Sequence, residues 1–416
     1  MSKAEETARL LKERIAAGDF NEKLPSEKEL AGIFGVAPNT VGKAVRLLAA
    51  EGLVTRQQGN GTFLRCPNKR KIKVAALPWL FNALTQVCSV EFPDVELIYC
   101  NFDADPHITT ITSFFPLEYN RFLDFMPEEI YEEAAKDYRF FPAIRDLHCV
   151  GRICYGIPAY FSPVLIAWNK KLMKKLAPDF SPEKISFEMM IDLMKKASSK
   201  GISGLDVKYF AWHILTTILA NFPGEQIGWE SFEKSRSLIS ALLPLLNEGK
   251  FAEGKSLFTL VSRHLIRREF SDPELSFEVM PIPFSGKTRR CNVASEALAV
   301  KLQAPGKELL WKIVRLSWGE KFQKIIAEDR HSIPLDRALA IETLDNNSNR
   351  DDIFFSEIRN IDFTRARLPF QVMRETALEF SSVVRKKISS DDFYKHIQKT
   401  FSQCEYESMR DRSIKI

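Results

Sequence analysis

The stretch LPSEKELAGIFGVAPNTVGKAVRLLAAEGLVTRQQGNGTFL, residues 24–64, predicts two short helices followed by a β-hairpin. Ser26 and Glu29 have the spacing of a capping box, in which each side chain satisfies the backbone amide of the other residue. Gly35 then ends the first helix, because glycine adopts the left-handed cap conformation without strain. Pro38 suits the first position of the second helix, where its missing N–H costs nothing.

The second helix has an apolar face and a polar face. Its apolar side chains recur at helical spacing and predict a buried stripe of Val41, Ala44, Val45 and Leu48. A tight-turn sequence at 59–61 then joins two strand-like segments. A second helix with a polar, basic outer face is how a helix-turn-helix presents its recognition helix to the major groove. We therefore expect DNA binding through Lys28, Pro38, Asn39, Thr40, Lys43, Arg46, Arg56, Gly61 and Thr62. The alternative is a winged helix that binds protein.

The motifs LPSE, VAPNTV, EGLV and QGNGTF together resemble the amino-terminal domain of the GntR family of bacterial transcription regulators. The resemblance implies a winged helix-turn-helix over 1–66, followed by a linker at 67–71, and a homodimer on a palindromic operator. Many family members carry arginine at the positions of Pro38 and Gly42, so the resemblance does not tell which bases are read.

Length and charge agree with a DNA-binding domain attached to a larger region. The chain has 416 residues, which predicts two or three domains. Residues 1–70 hold 12 lysines and arginines against 8 acids, and the whole chain has a net charge of +5, so most of the basic excess lies where DNA phosphates need neutralising. The first helix lacks the apolar core of a signal peptide, no apolar run has transmembrane length, and the seven cysteines include no C-x-x-C pair. We therefore expect a cytoplasmic protein with free thiols and no membrane partner.

Strand-like and helical patterns alternate from Lys73 onward and predict an α/β region. In chain order, its segments YGIPAYFSPVLIAWNKKLMKKL, VMPIPFSG, SEALAV and GKELLWKIVRLSWGEKFQKIIAED resemble the family 1 extracellular solute-binding proteins of ABC importers, many of which carry sugars. The resemblance implies a two-lobed, periplasmic-binding-protein-like (type 2) fold over 72–416, with the ligand in the cleft. It places lobe one at about 72–160 and 292–335, and lobe two at about 161–291 and 336–416.

Aromatic side chains are the main candidates for ligand contact, because the C–H faces of a sugar stack on aromatic rings. Trp79 follows the first strand of this region, at the sheet edge where open α/β sheets bind ligands. Tyr160 lies near the predicted lobe crossing, and we expect it to face Trp79 across the cleft. The full predicted set is Trp79, Asp103, Tyr160, Phe161, Trp212, Trp229, Asn292 and His331. The alternative for each is core packing or a solvated loop. Trp168, Trp311 and Trp318 lie in apolar patterns and are expected in the core.

No motif predicts a catalytic residue, a metal site or a cofactor. The six histidines are scattered, and there is no H-E-x-x-H, Walker loop or G-x-S-x-G motif. The sequence therefore predicts a ligand-responsive transcription regulator whose partners are double-stranded DNA and a small molecule, with a carbohydrate favoured by the resemblance. The alternative is a GntR-type regulator with an enzymatic carboxyl-terminal half, for example one that resembles pyridoxal-phosphate-dependent aminotransferases.

Overall fold

A computed structural model describes the chain from residue 2 to residue 413, apart from residues 17–18, 21–22, 58, 65–68, 113–121, 151–152, 209–210, 222–228, 271, 273, 285–288, 330–331, 346–349 and 362–369. The chain divides into two compact units, one of residues 1–72 with 88–98 and one of residues 73–87 with 99–416. Among the described residues, no helix is both long and apolar enough to cross a membrane.

The first elements are those of a winged helix, as predicted. They are α1 (Lys3–Ala16), α2 (Glu27–Phe34), α3 (Pro38–Ala50), β1 (Val54–Gln57) and β2 (Gly61–Leu64). The capping box is present at the start of α2, where the Ser26 amide donates to Glu29 Oε2 at 2.7 Å and the Glu29 amide donates to Ser26 Oγ at 3.3 Å. Gly35 ends α2 in the left-handed conformation with φ 62°. The local sequence signals therefore set the helix bounds.

A small apolar core holds these elements together. Its buried residues are Ala8, Leu11, Leu24, Leu30, Ala31, Val41, Ala44, Val45, Leu48 and Val54. All four residues of the predicted stripe on α3 belong to it, so that prediction is confirmed. Burying a valine or leucine side chain stabilises a fold by about 1.5–3 kcal/mol. The stripe therefore fixes which face of α3 remains in solvent.

The remaining chain alternates strands and helices, as the pattern predicted. Its strands are β3 (Arg70–Ala75), β4 (Val95–Tyr99), β5 (Ile108–Thr112), β6 (Cys149–Val150), β7 (Ile153–Cys154), β8 (Pro158–Pro163), β9 (Leu165–Asn169), β10 (Ser203–Asp206), β11 (Leu246–Asn247), β12 (Ser256–Val261), β13 (Phe277–Met280) and β14 (Val293–Val300). Its helices are α4 (Pro78–Glu91), α5 (Glu128–Lys136), α6 (Pro142–Arg145), α7 (Lys170–Leu176), α8 (Phe187–Ser198), α9 (Ala211–Ala220), α10 (Trp229–Leu242), α11 (Arg263–Glu269), α12 (Lys307–Arg315), α13 (Glu320–Asp329), α14 (Arg337–Glu342), α15 (Asp351–Glu357), α16 (Phe370–Val384) and α17 (Ser390–Ser413).

The linker predicted at 67–71 is shorter than expected. Strand β3 already begins at Arg70, whose amide donates to the carbonyl oxygen of Asp94 at 2.8 Å. Residues 67–68 lie outside the described residues. The basic composition of this stretch is typical of a linker, but the exposed first residues of a strand accept the same composition.

Two five-stranded sheets define two lobes. The first-lobe sheet has the order β4-β3-β5-β14-β8, and the second-lobe sheet has the order β11-β10-β12-β9-β13. Strands β8 and β9 follow each other in the chain but belong to different sheets, so the chain crosses between lobes at Val164. The predicted boundary at residue 160 is therefore too early, because β14 still pairs with β8 at Val293 and Pro163. Val164 itself is held by its amide, which donates to the carbonyl oxygen of Asn292 at 2.8 Å.

Buried Arg263 joins the two lobes beside this crossing through hydrogen bonds to the first lobe and an ion pair with Asp351. Arg263 follows β12 of the second lobe, and its guanidinium donates to both carboxylate oxygens of Asp351 at 2.6 and 2.8 Å. The Arg263 side chain also donates to the carbonyl oxygen of Ser332, and its backbone amide donates to Ser162 Oγ on β8 at 2.9 Å. Since both charged side chains are at most 1% exposed, neither is solvated if the other is removed.

Candidate functional site

The predicted DNA-binding residues lie on the surface of the winged helix. Lys28, Pro38, Asn39, Lys43, Arg46, Arg56 and Gly61 are exposed, and Thr40 and Thr62 are half-buried. Helix α3 therefore presents one polar side to solvent, opposite its apolar stripe. The Arg46 side chain lies back along the helix, with Nε donating to the carbonyl oxygen of Gly42 at 3.2 Å.

One of these residues has a partner that the sequence did not indicate. The Arg56 guanidinium on β1 forms an ion pair with Glu27 Oε1 at 2.5 Å. Gly42 leaves room for this carboxylate, because a Cβ atom at that position would lie 2.9 Å from Glu27 Oε2. An exposed ion pair stabilises a fold by only about 0–1 kcal/mol, so Arg56 can exchange Glu27 for a phosphate group at little cost.

An open groove separates the start of α2 from the hairpin. It is lined by Lys23, Leu24, Pro25, Ser26, Glu27, Glu29, Arg56, Gln57, Gly59, Asn60, Gly61 and Thr62. At the hairpin turn, Gly61 has φ 110°, and a Cβ atom there would approach Lys23 Cε to 2.7 Å. The Lys23 side chain is flexible and could move aside, so it is the positive φ that favours glycine at position 61. Asn60, the residue before it, is exposed at the tip.

The rings of Trp79 and Tyr160 are in direct contact, which differs from the predicted arrangement across a cleft. Their ring centroids are 4.9 Å apart at an interplanar angle of 53°. Both belong to the first lobe, because α4 follows β3 and Tyr160 lies on β8 of the same sheet. The expectation that they face a cleft from opposite sides is therefore wrong.

The residue that reaches Tyr160 from the second lobe is His264. It lies in α11, directly after β12, and its ring centroid is 6.3 Å from that of Tyr160 in an edge-on geometry of 78°. Tyr160 is buried at 3% exposure, whereas Trp79 and His264 are half-buried. The Trp79–Tyr160–His264 group, which we call the aromatic cluster, is thus a point at which the two lobes meet.

Glu296 is a site residue that the sequence analysis missed. It lies on β14, where its register partners are Tyr160 on β8 and Thr112 on β5. The Tyr160 hydroxyl donates to its carboxylate, and burial raises the pKa of Glu296 to about 7. Its other oxygen, Oε2, is buried and has no hydrogen-bond partner among the residues that the structure describes. The available signal was a lone ionisable residue within the apolar strand segment ASEALAV.

Two predicted ligand residues have structural partners instead. Phe161 is fully buried, with its ring 5.3 Å from that of Phe141. The Asn292 amide nitrogen donates to the carbonyl oxygen of His213 at 3.0 Å and to the hydroxyls of Thr216 and Thr217 at 2.8 and 2.7 Å. These bonds hold α9 against the start of β14, so the Asn292 side chain has a structural role.

The other predicted ligand residues are not brought to the aromatic cluster. Asp103 is exposed in a turn after β4, and Trp229 lies in the second lobe, 6.4 Å from Phe232 and 6.2 Å from Phe401 between ring centroids. Trp212 belongs to α9, but its side chain lies outside what the structure describes, and His331 lies outside the described residues altogether.

The three tryptophans expected in the core differ in burial. Trp311 and Trp318 are buried, as predicted, and Trp311 Nε1 donates to Asp124 Oδ2 at 3.0 Å. Trp168 is only half-buried on β9, with its ring centroid 5.1 Å from that of Phe180.

Comparison with known proteins assigns the first part of the chain. Residues 3–64 match the family described as bacterial regulatory proteins, gntR family. They form a GntR winged-helix domain. The chain is 38% identical to the histidine utilization repressor of Klebsiella aerogenes over 65 residues, which are 15% of this chain and 27% of that protein. It is 34% identical to the transcriptional repressor YtrA of Bacillus subtilis over 77 residues, 18% of this chain and 59% of that protein. The match thus spans less than two thirds of either relative.

The region after the GntR domain resembles a two-lobed solute-binding protein. An ABC substrate-binding protein from Listeria monocytogenes, in complex with cycloalternan, superimposes with a TM-score of 0.64 at 14% identity, covering 81% of this chain and 99% of that one. The sugar-binding protein MalE from Xanthomonas citri gives a TM-score of 0.64 at 14% identity, covering 83% and 98%. Maltose-bound MalE3 from T. maritima gives 0.62 at 14% identity, covering 80% and 99%. At this identity the likeness establishes the fold alone, which is the α/β fold predicted from the sequence.

Proposed function

We propose that this protein is a cytoplasmic transcription regulator that binds double-stranded DNA as a homodimer and responds to a carbohydrate bound between its two lobes. The observation that carries the proposal is the exposed face of Asn39, Lys43 and Arg46 on a GntR winged helix. The same chain continues into a two-lobed fold similar to proteins solved with cycloalternan and maltose.

The geometry of α3 suits the major groove of DNA. Asn39 and Thr40 lie in its first turn, the part of a recognition helix that contacts base edges. Lys43 follows on the same side, where its ammonium reaches a guanine edge or a phosphate. The hairpin adds Arg56, which exchanges Glu27 for phosphate. Two such domains in a dimer would read two half-sites, so the expected operator is palindromic.

The aromatic cluster suits a sugar at the meeting point of the lobes. The half-buried Trp79 ring offers a face for the C–H groups of a sugar, and Tyr160 and His264 supply polar atoms beside it. A ligand that contacts both lobes favours the arrangement in which both reach it, in proportion to its differential affinity for that arrangement. In a dimer, this change alters the spacing of the paired DNA-binding domains.

The DNA-binding half of the proposal is tested by replacing Lys43 with alanine. We expect operator binding to weaken by roughly 1–3 kcal/mol if a base contact is lost. Operator duplexes are first selected from a random pool with the wild-type protein, and affinities are then measured by fluorescence anisotropy. The matched control is Arg9→Ala, which removes one positive charge from α1, where Arg9 pairs with Glu13 at 2.6 Å. Equal losses in both variants, or none in Lys43→Ala, would move the reading surface away from α3.

The ligand-binding half is tested by a thermal-shift screen of the full chain against neutral and charged sugars. A ligand at 100 times its Kd stabilises the native state by about 2.7 kcal/mol. A stabilising sugar must also change operator affinity, and it must be recovered unchanged after incubation. A converted sugar would support the enzymatic alternative, and a screen without any stabilising sugar would refute carbohydrate sensing.

A further inference from the structure

Glu296 and a small buried cluster lie on opposite faces of the first-lobe sheet. Along β14, its neighbour Ala297 and then Ala299 pack into a buried cluster with Ile111, Leu123 and Tyr155. Successive side chains of a strand alternate between the two faces. Glu296 therefore lies on the opposite face, level with Tyr160 and the exposed Thr112 on the neighbouring strands.

The polar surroundings of this carboxyl group leave one of its oxygens unmatched. Tyr160 on β8 is a titratable group that contacts it, and His264 on α11 packs edge-on against the Tyr160 ring. Thr112 on β5 and Trp79 on α4 carry no charge. Within the described part of the chain, no cation pairs with Glu296, and Oε2 is buried without a donor. A buried carboxylate oxygen without a donor is costly, so a donor from outside the chain would stabilise the ionised form.

The neighbouring rings decide which donor fits best. A neutral hydroxyl satisfies the hydrogen bond but leaves the buried negative charge uncompensated. A protonated amine supplies both the hydrogen bond and the opposite charge, and charge-assisted bonds are about twice as strong as neutral ones. The faces of Trp79 and Tyr160 also attract cations. A pyranose that carries an ammonium group therefore matches the carboxylate with its nitrogen and the Trp79 ring with its C–H face.

We propose that Glu296 is the specificity-determining residue of the lobe junction, and that it selects an amino sugar by pairing with the ligand's protonated amine beside Trp79 and Tyr160. This inference rests on the proposed carbohydrate-sensing function and narrows its ligand class. When the carboxyl group is protonated before binding, the ammonium replaces that proton, which leaves for solvent as the Glu296 carboxylate pairs with the ligand.

The test compares three amino sugars with their neutral parents: D-glucosamine, D-galactosamine and D-mannosamine against D-glucose, D-galactose and D-mannose. Binding to the full chain is measured by calorimetry between about pH 5.5 and about pH 7, in buffers of different ionisation enthalpy. We expect at least one amino sugar to bind about tenfold or more tightly than its parent. Its affinity should rise towards tenfold per pH unit, with one proton released, because binding then requires the ionised carboxylate.

Two variants separate charge pairing from folding. Glu296→Gln keeps the shape and the hydrogen-bonding capacity but removes the charge, so the amino sugar should lose tenfold or more in affinity and its pH dependence. The parent sugar should change less than threefold. The control is Glu278→Gln on β13, which removes a strand carboxylate of the second lobe that pairs with Lys170 at 2.9 Å, and should leave both affinities unchanged.

The outcomes distinguish this inference from the function on which it rests. If a neutral sugar binds and its amino counterpart does not, or if Glu296→Gln weakens both equally, the amine selectivity is refuted and carbohydrate sensing stands. If neither class binds and the wider sugar screen is also empty, the proposed sensing function itself is refuted.

Discussion

The raised pKa of Glu296 predicts how the stability of the two-lobed region depends on pH. Burial lifts the pKa of this carboxyl group from its ordinary value of 4.5 to about 7 in the folded protein. The folded state therefore tolerates the neutral acid and penalises the carboxylate. Its contribution to stability is fully present below about pH 4.5 and is lost as the pH rises through about 7.

The size of the effect follows from the shift. Each pKa unit corresponds to 1.36 kcal/mol of difference between the two protonation states. The distance from 4.5 to about 7 then gives about 3 kcal/mol at full ionisation. Glu296→Gln has no charge to lose, so its free energy of unfolding should exceed that of the wild type increasingly from about pH 5 to about pH 8, by up to this amount.

The assay is urea unfolding of wild type, Glu296→Gln and Glu278→Gln at a series of pH values, without ligand, followed by fluorescence of the tryptophans in the two-lobed region. The difference between wild type and Glu296→Gln should widen with pH by more than the difference between wild type and Glu278→Gln. A constant difference for Glu296→Gln would show that the carboxyl group is solvated or paired in solution. That outcome would refute an unmatched Oε2 in the ligand-free protein.

Three further substitutions test other parts of the structure. Trp79→Ala should abolish the effect of ligand on operator affinity and leave the ligand-free operator affinity nearly intact. If the variant instead loses about 3–5 kcal/mol of stability in urea unfolding, or responds to ligand as the wild type does, Trp79 is a packing residue. Asn60→Glu should weaken operator binding by roughly 1 kcal/mol in an anisotropy titration, because a carboxylate at the hairpin tip meets phosphate, whereas Asn60→Gln should not; equal affinities would place the hairpin away from DNA. Gly61 is unsuited to this test because of its positive φ. Arg263→Met should lower the free energy of unfolding by about 3–5 kcal/mol in the same urea assay, because it leaves the buried Asp351 carboxylate without its counter-charge. Adding Asp351→Leu should restore part of this loss. If the second substitution instead lowers the free energy of unfolding further, the first loss did not come from an uncompensated charge.

Local signals made the winged helix predictable from sequence. The capping box at Ser26 and Glu29, the left-handed Gly35 and the stripe on α3 act within a few residues, so their spacing alone determines the structure. The ion pair between Glu27 and Arg56 joins residues that are far apart in the sequence, and spacing carries no information about such a pair.

The candidate ligand site was predictable only in part, because its residues meet through strand register. Trp79 was proposed from its place after a strand, but its contact with Tyr160 within one lobe was not predicted, because the pairing of β8 with β14 was unknown. Glu296 was missed because a single acid within an apolar strand has no meaning until its neighbours across the sheet are known. Asn292 was assigned to ligand for the converse reason, since its three hydrogen-bond partners lie about seventy to eighty residues earlier in the chain.

A small rotation of one lobe against the other at Val164 moves the residues near this crossing by a few ångströms. A rotation of one sheet against the other turns the backbone torsions at this crossing and in the segment between β13 and β14, which passes between the same sheets. The Val164 amide joins the two connections by its hydrogen bond to Asn292. Tyr160 lies four residues from this pivot, or about 13 Å along an extended strand. A turn of about 15° there, a typical size for rigid-body transitions, sweeps a group at that distance through about 3.4 Å. That is more than the length of a hydrogen bond. A modest twist of the crossing strand is thus enough to make or break the contact between Tyr160 and His264.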